Sequence, residues 1–164
     1  MSAELLLRTL EKLLKLHTSF YKLAVEKTDI LKKDDIEALN SHMKEEQKYI
    51  LAIRQIDEER KKIVDQLLTN AQLQEAERTL RNCIEITAEP EKSSLTDMQQ
   101  QLTKIVEEVK QRNVLNQQLT HQSLQFVNMT LEMIRPQPQA ITYTRPNAKQ
   151  IENKNARSMF DSKA

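Results

Sequence analysis

The chain contains no glycine among its 164 residues, where average usage near 7% would supply about eleven. Glycine provides positive φ and close backbone approach, which tight hairpins, phosphate loops and nucleophile elbows need. A P-loop, a dinucleotide-binding turn, a G-x-S-x-G elbow and an EF-hand loop each demand Gly at fixed offsets, so all four are excluded. Compact β-rich and α/β folds are disfavoured for the same reason. Tryptophan is absent as well, and aromatics make up only 4%. The stacking platforms used by single-strand nucleic-acid binders are therefore nearly absent. The single cysteine, Cys83, cannot form an internal disulfide and points to a reducing compartment. Apolar runs are as short as Leu5-Leu6-Leu7, far from the ~20 residues that span a bilayer. Met1 to Arg8 shows neither a basic start nor a small-residue cleavage site, and reads as no signal peptide.

What is present is charge and helical periodicity. Charged residues are 30% and hydrophobic ones 38%, and the net charge is only +1. No global field draws the chain to nucleic acid or to an anionic membrane. The length suits one domain. Its charge is uneven. From Arg135 onward, six Lys/Arg face only Glu152 and Asp161, and three of the four prolines (Pro136, Pro138 and Pro146) lie there. This shift divides the chain into a helical body, 1–134, and a flexible basic tail, 135–164, because Arg135-Pro136-Gln137-Pro138 cannot continue a helix.

The expected body is all-α, an elongated antiparallel three-helix bundle or coiled coil. The first helix covers about 3–33. Leu6, Leu10, Leu13, His17, Phe20, Ala24, Lys27 and Leu31 recur at alternating spacings of four and three, an a/d seam. Leu7, Leu14 and Tyr21 flank it on one side and Leu16, Leu23 and Ile30 on the other, a stripe wide enough to touch two neighbours. Asp34, with Glu37 three residues on, reads as a capping box for a second helix over about 35–68, with a weaker extension to 88. Its seam is Ile36, Leu39, Met43, Ile50, Ile53, Val64 and Leu67, interrupted by Asp57 and Arg60. The short connection makes an antiparallel hairpin. After the loop around Pro90, Ser94 reads as the N-cap of a third helix over about 95–134.

That third helix changes character midway. Asn113 and Asn116 occupy one face where apolar residues are expected, before Leu119, Leu124, Phe126, Val127, Leu131 and Ile134 resume the stripe. The two amides are read either as buried groups fixing register between helices or as a polar patch in a groove that docks a partner helix. Met43, Met98, Met129 and Met133 are read either as core filling or as adaptable contact surface.

No catalytic, cofactor or metal site emerges. His17, His42 and His121 each stand alone, without a second His or Cys one helical turn away. Adjacent carboxylates such as Glu45-Glu46 point to different helix faces and read as solvated charge. Cys83 has no neighbouring histidine to activate it.

Two heptad-patterned helices, a loop, and a third helix carrying Arg112-Asn113-x-x-Asn116-x-x-Leu119 resemble the FlgN family of flagellar export chaperones. The tail resembles it too, with Tyr143 in Ile141-Thr142-Tyr143-Thr144 after the body and a semi-apolar ending, Ser158-Met159-Phe160. The resemblance implies a cytoplasmic type III secretion chaperone that is not an enzyme and needs no cofactor. It would bind terminal helices of the hook–filament junction proteins, prevent their premature assembly, and deliver them to the cytoplasmic domain of the export-gate membrane protein. Carried over by position, Tyr143 would contact the gate. Asn113, Asn116, Leu119, Leu124, Val127, Leu131 and Ile134, with Ile151, Met159 and Phe160 of the tail, would hold the client. The alternative from the seams alone is a structural, self-associating coiled-coil protein or adaptor without chaperone activity. A helix lying on membrane is disfavoured, because Glu4, Glu11 and Glu26 mix with lysines on the polar face of the first segment.

Overall fold

The computed structural model describes residues 2–70 and 79–135. Regular structure among them is entirely helical: α1 Ser2–Lys32, α2 Ile36–Asn70, α3 Leu80–Ile86 and α4 Glu91–Ile134. Three helices are long, at 31, 35 and 44 residues, and α3 has 7. At 1.5 Å per residue α4 runs about 66 Å.

The α1–α2 turn shows how a chain without glycine reverses direction. Asp34 stands at φ 53, the left-handed conformation in which a helix usually ends on glycine. The Asp35 N–H donates to the Ile30 carbonyl at 3.4 Å, and the Asp34 N–H to the Leu31 carbonyl at 3.3 Å. These two bonds make a Schellman closure of α1 with aspartate in the glycine position. The cap of α2 is then Asp35, whose carboxylate accepts the Ala38 N–H at 2.9 Å. The expected cap at Asp34 is corrected by one residue, because the αL conformation commits Asp34 to ending α1.

The weak stretch before Pro90 contains a separate short helix, so the described residues hold four helices rather than three. Thr79 caps α3 by accepting the Asn82 N–H, and the Thr87 hydroxyl closes it by donating to the Cys83 carbonyl at 2.7 Å. The start of α4 also differs from the expected Ser94 cap. Pro90 precedes the first turn, where a missing N–H costs nothing, and a Glu89 carboxylate oxygen accepts the Ser93 N–H at 3.2 Å. Ser94 therefore lies inside the helix.

α1 is the central element. It packs against α2 on one side and α4 on the other, while α2 and α4 hardly meet. This explains the width of its apolar stripe. Lys27 of α1 meets Glu46 of α2, and Thr28 meets Asn116 of α4, whereas Asp34 meets Ser123. The rising partner numbers show α4 running parallel to α1, and the hairpin places α2 antiparallel to both. At one end, Leu6, Leu10 and Leu13 interlock with Ile63, Val64 and Leu68 of α2, Cys83 and Ile84 of α3, and Leu95 of α4. Full burial of each such aliphatic side chain stabilises by about 1.5–3 kcal/mol.

The seam of α2 departs from its expected course in the first half. Ile36, Met43 and Ile50 are exposed, and His42 and Glu46 are buried instead. The Lys27 ammonium lies 2.7 Å from a Glu46 carboxylate oxygen, so an ion pair occupies this stretch of the α1–α2 contact. His42 Nε2 lies 3.8 Å from the other Glu46 oxygen.

Candidate functional site

The two asparagines of α4 are separated by the fold. Asn116 is only 4% exposed. Its Nδ2 donates to the Ala24 carbonyl at 2.8 Å, and its Oδ1 accepts from the Thr28 hydroxyl at 2.6 Å. The amide is thereby satisfied against α1 and sets the register of α4. Asn113 is exposed and faces a groove between α2 and α4. Three residues turn a helix by about 300°, leaving the two side chains about 60° apart. That offset puts one against α1 and the other over the groove.

Beyond this point α4 loses its cover. The Ser123 hydroxyl donates to an Asp34 carboxylate oxygen at 3.3 Å, which sets Ser123 level with the α1–α2 turn. The helix continues to Ile134, about 16 Å of further rise. Leu124, Phe126, Val127, Met129, Leu131, Met133 and Ile134 are all exposed there, Phe126 at 66% and Ile134 at 71%. Leu119, one turn earlier, is half-buried. A cavity of about 580 Å³ opens between this stretch and the hairpin. Leu31, Ile36 and Leu39 line it from one side and Leu124, Phe126 and Val127 from the other. Asp34 and Asp35 border it, with no cation among the described residues of its lining.

The structure thus brings Leu124 and Val127 together in one cavity and extends the same apolar surface through Leu131 and Ile134. Sequence reasoning missed the hairpin's contribution, Ile36 and Leu39, by assigning both to the α1–α2 seam. It also left Phe126 outside the site. The available signal was apolar residues on every face of this stretch of α4, where a packed amphipathic helix would confine them to one stripe. Of the methionines, Met98 packs against the core, and Met43, Met129 and Met133 are exposed. Ile151, Met159, Phe160 and Tyr143 lie outside the described residues.

The polar interruptions of the α2 seam pair with each other. Arg60 Nε donates to Asp57 Oδ1 at 2.8 Å, and Lys61 Nζ lies 3.2 Å from the other oxygen. Partial burial pushes the Asp57 carboxyl up, but Arg60 and Lys61 outweigh it and hold the group below its ordinary value. Burial pushes the Cys83 thiol up, away from the thiolate a nucleophile needs. Among the described residues no group of three His, Cys, Asp or Glu could hold a metal ion, and no helix is long and apolar enough to cross a membrane. The described residues instead present an exposed apolar surface at the end of α4.

The comparisons with known proteins agree over most of the chain. A family model described as FlgN protein matches residues 1–150. A relative from Bacillus subtilis (strain 168), named uncharacterized protein YvyG, is 30% identical over 164 residues and covers all of both chains. No solved structure matches.

Proposed function

The chain belongs to the FlgN family, and on that premise we propose that it is a cytoplasmic chaperone of flagellar type III export. Its clients are the terminal helices of the hook–filament junction proteins. The observation that carries this reading is the uncovered end of α4, from Leu124 to Ile134, with the cavity it shares with the hairpin. A contiguous apolar surface on a charged protein marks a place where another chain docks. A client's amphipathic helix would lay its apolar face there, helix in groove. While covered, the client helix is withheld from assembly.

In this proposal the body, 1–134, works as an elongated helical scaffold and residues 135–164 as a tail. Ile151, Met159 and Phe160 extend the client contact, and Tyr143 engages the cytoplasmic domain of the export-gate membrane protein. Asn116 acts as a register residue, and Asn113 stands clear of the client cavity.

The test is binding of a synthetic client terminal helix to Val127→Glu/Leu131→Glu. Both side chains are exposed, so helicity by circular dichroism should stay at the wild-type level. Affinity should fall at least about tenfold, since two buried carboxylates without partners oppose docking. Wild-type affinity in this variant would overturn the reading. A stable oligomer in sedimentation, with no affinity for the client helix, would favour the self-associating alternative.

A further inference from the structure

A second groove lies on a different stretch of the molecule. α1 forms its floor with Leu13 and Phe20, and α2 and α4 form its walls with Ile53, Val106 and Val109. Its volume is about 930 Å³. Along α4 the lining runs from Leu102 to Gln117, about 22 Å or four helical turns. It exists because α1 separates α2 from α4, so three long helices leave a trough where a fourth would complete the packing. Val106, on the α4 wall, is half exposed, and so is Ile50 on the α2 wall.

The charges along its walls discriminate among occupants. Arg54, Arg60, Lys61 and Lys110 line it against Asp57 and Glu58. Arg60 and Lys61 are engaged by Asp57, and Lys61 also by Glu58. Arg54 forms no ion pair among the described residues, and Lys110 touches only Glu107, at 3.9 Å. The groove therefore offers one available cation on each wall above an apolar floor. The chain's own basic tail matches these walls poorly, and the uncovered end of α4 in a second copy carries a single carboxylate, Glu132.

We propose that this groove is a docking site for an amphipathic helix of about four turns whose apolar face is flanked on both sides by acidic residues. Its apolar face fills the trough over Leu13 and Phe20. Its flanking carboxylates meet Arg54 on one wall and Lys110 on the other. This site is separate from the client surface at Leu124–Ile134.

The test uses two 18-residue synthetic helices with leucine at every third and fourth position, one flanked by glutamate and the other by lysine. On the full chain at low salt, the glutamate peptide should bind at least about tenfold more tightly, and added salt should narrow the gap. Arg54→Glu/Lys110→Glu should reverse the preference while helicity is retained, and Lys110→Gln alone should halve the discrimination on a logarithmic scale. Amide NMR shifts should centre on Ile53, Val106 and Val109. Equal affinity for the two peptides, no binding of either, or shifts confined to Leu124–Ile134 would overturn the proposal.

Discussion

The contact between Thr28 and Asn116 permits a sharp prediction, because its two halves should respond unequally to removal. Both side chains are buried, at 2% and 4% exposure. In Thr28→Val the Asn116 Oδ1 loses its only described donor, the hydroxyl at 2.6 Å, and stays buried. An acceptor stranded in this way costs about 1–3 kcal/mol. At the middle of that range, the melting temperature should fall by about 4–8 °C. In Asn116→Leu the situation differs. The Thr28 hydroxyl keeps the Ala24 carbonyl, 3.1 Å away, and that carbonyl keeps its place in the α1 ladder. Leucine of similar bulk should therefore stay within about 1 kcal/mol of wild type. The double variant should recover most of the Thr28→Val loss, a coupling of about 1–2 kcal/mol. Urea unfolding followed by circular dichroism measures all four proteins. The reasoning is refuted if Asn116→Leu is as damaging as Thr28→Val, or if the double variant shows the sum of the two losses.

Four further outcomes concern the tail, Asp57 and Cys83. On the proposed function, truncation after Arg135 should leave the helical body folded and weaken client or gate binding, and Tyr143→Ala should reduce gate recruitment while sparing the client; pull-downs with each partner read the two separately. Asp57 has a depressed folded pKa, so its pairing stabilises above the unfolded value near 3.9 and is lost as pH falls through the lower folded value. The wild-type advantage over Asp57→Asn, a few tenths of a kcal/mol for so open a pair, should thus vanish in acid urea titrations below about pH 4. The Cys83 thiol has a raised folded pKa, so its burial favours folding below about pH 8.5 and this contribution fades as pH rises further. A thiol reagent at pH 8 should label Cys83 at the rate of unfolding, and immediate labelling of the native protein would contradict its burial.

How far the sequence could be read varied with the residue type at stake. The stripe of α1 was legible because leucines recur on more than one seam, and the structure places α1 between two long neighbours. The first half of α2 was not, because its buried positions are His42 and Glu46. Hydrophobic periodicity cannot register a carboxylate whose partner, Lys27, comes from another helix. Asp34 was misread since the αL role normally falls to glycine, and this chain has none. The asparagine pair was recognised as unusual, but their 60° offset separates a register residue from a groove residue only once α1 is in place. The apolar end of α4 was legible as a stripe. Its lack of cover was not, because that depends on where α1 turns.

The parallel pairing of α1 with α4 has a consequence for synthesis. The residues that join them, Ala24 and Thr28 with Asn116, stand 92 and 88 positions apart. At about 5–20 residues per second, a ribosome needs about 4–18 s to make the intervening chain. Through that interval the α1–α2 hairpin can close, but the flank of α1 that receives α4 faces water. The nascent hairpin is therefore a half-covered intermediate by construction, and its completion waits on the last long helix. That same helix ends in the residues from Leu124 to Ile134, which stay largely exposed beside the other described residues.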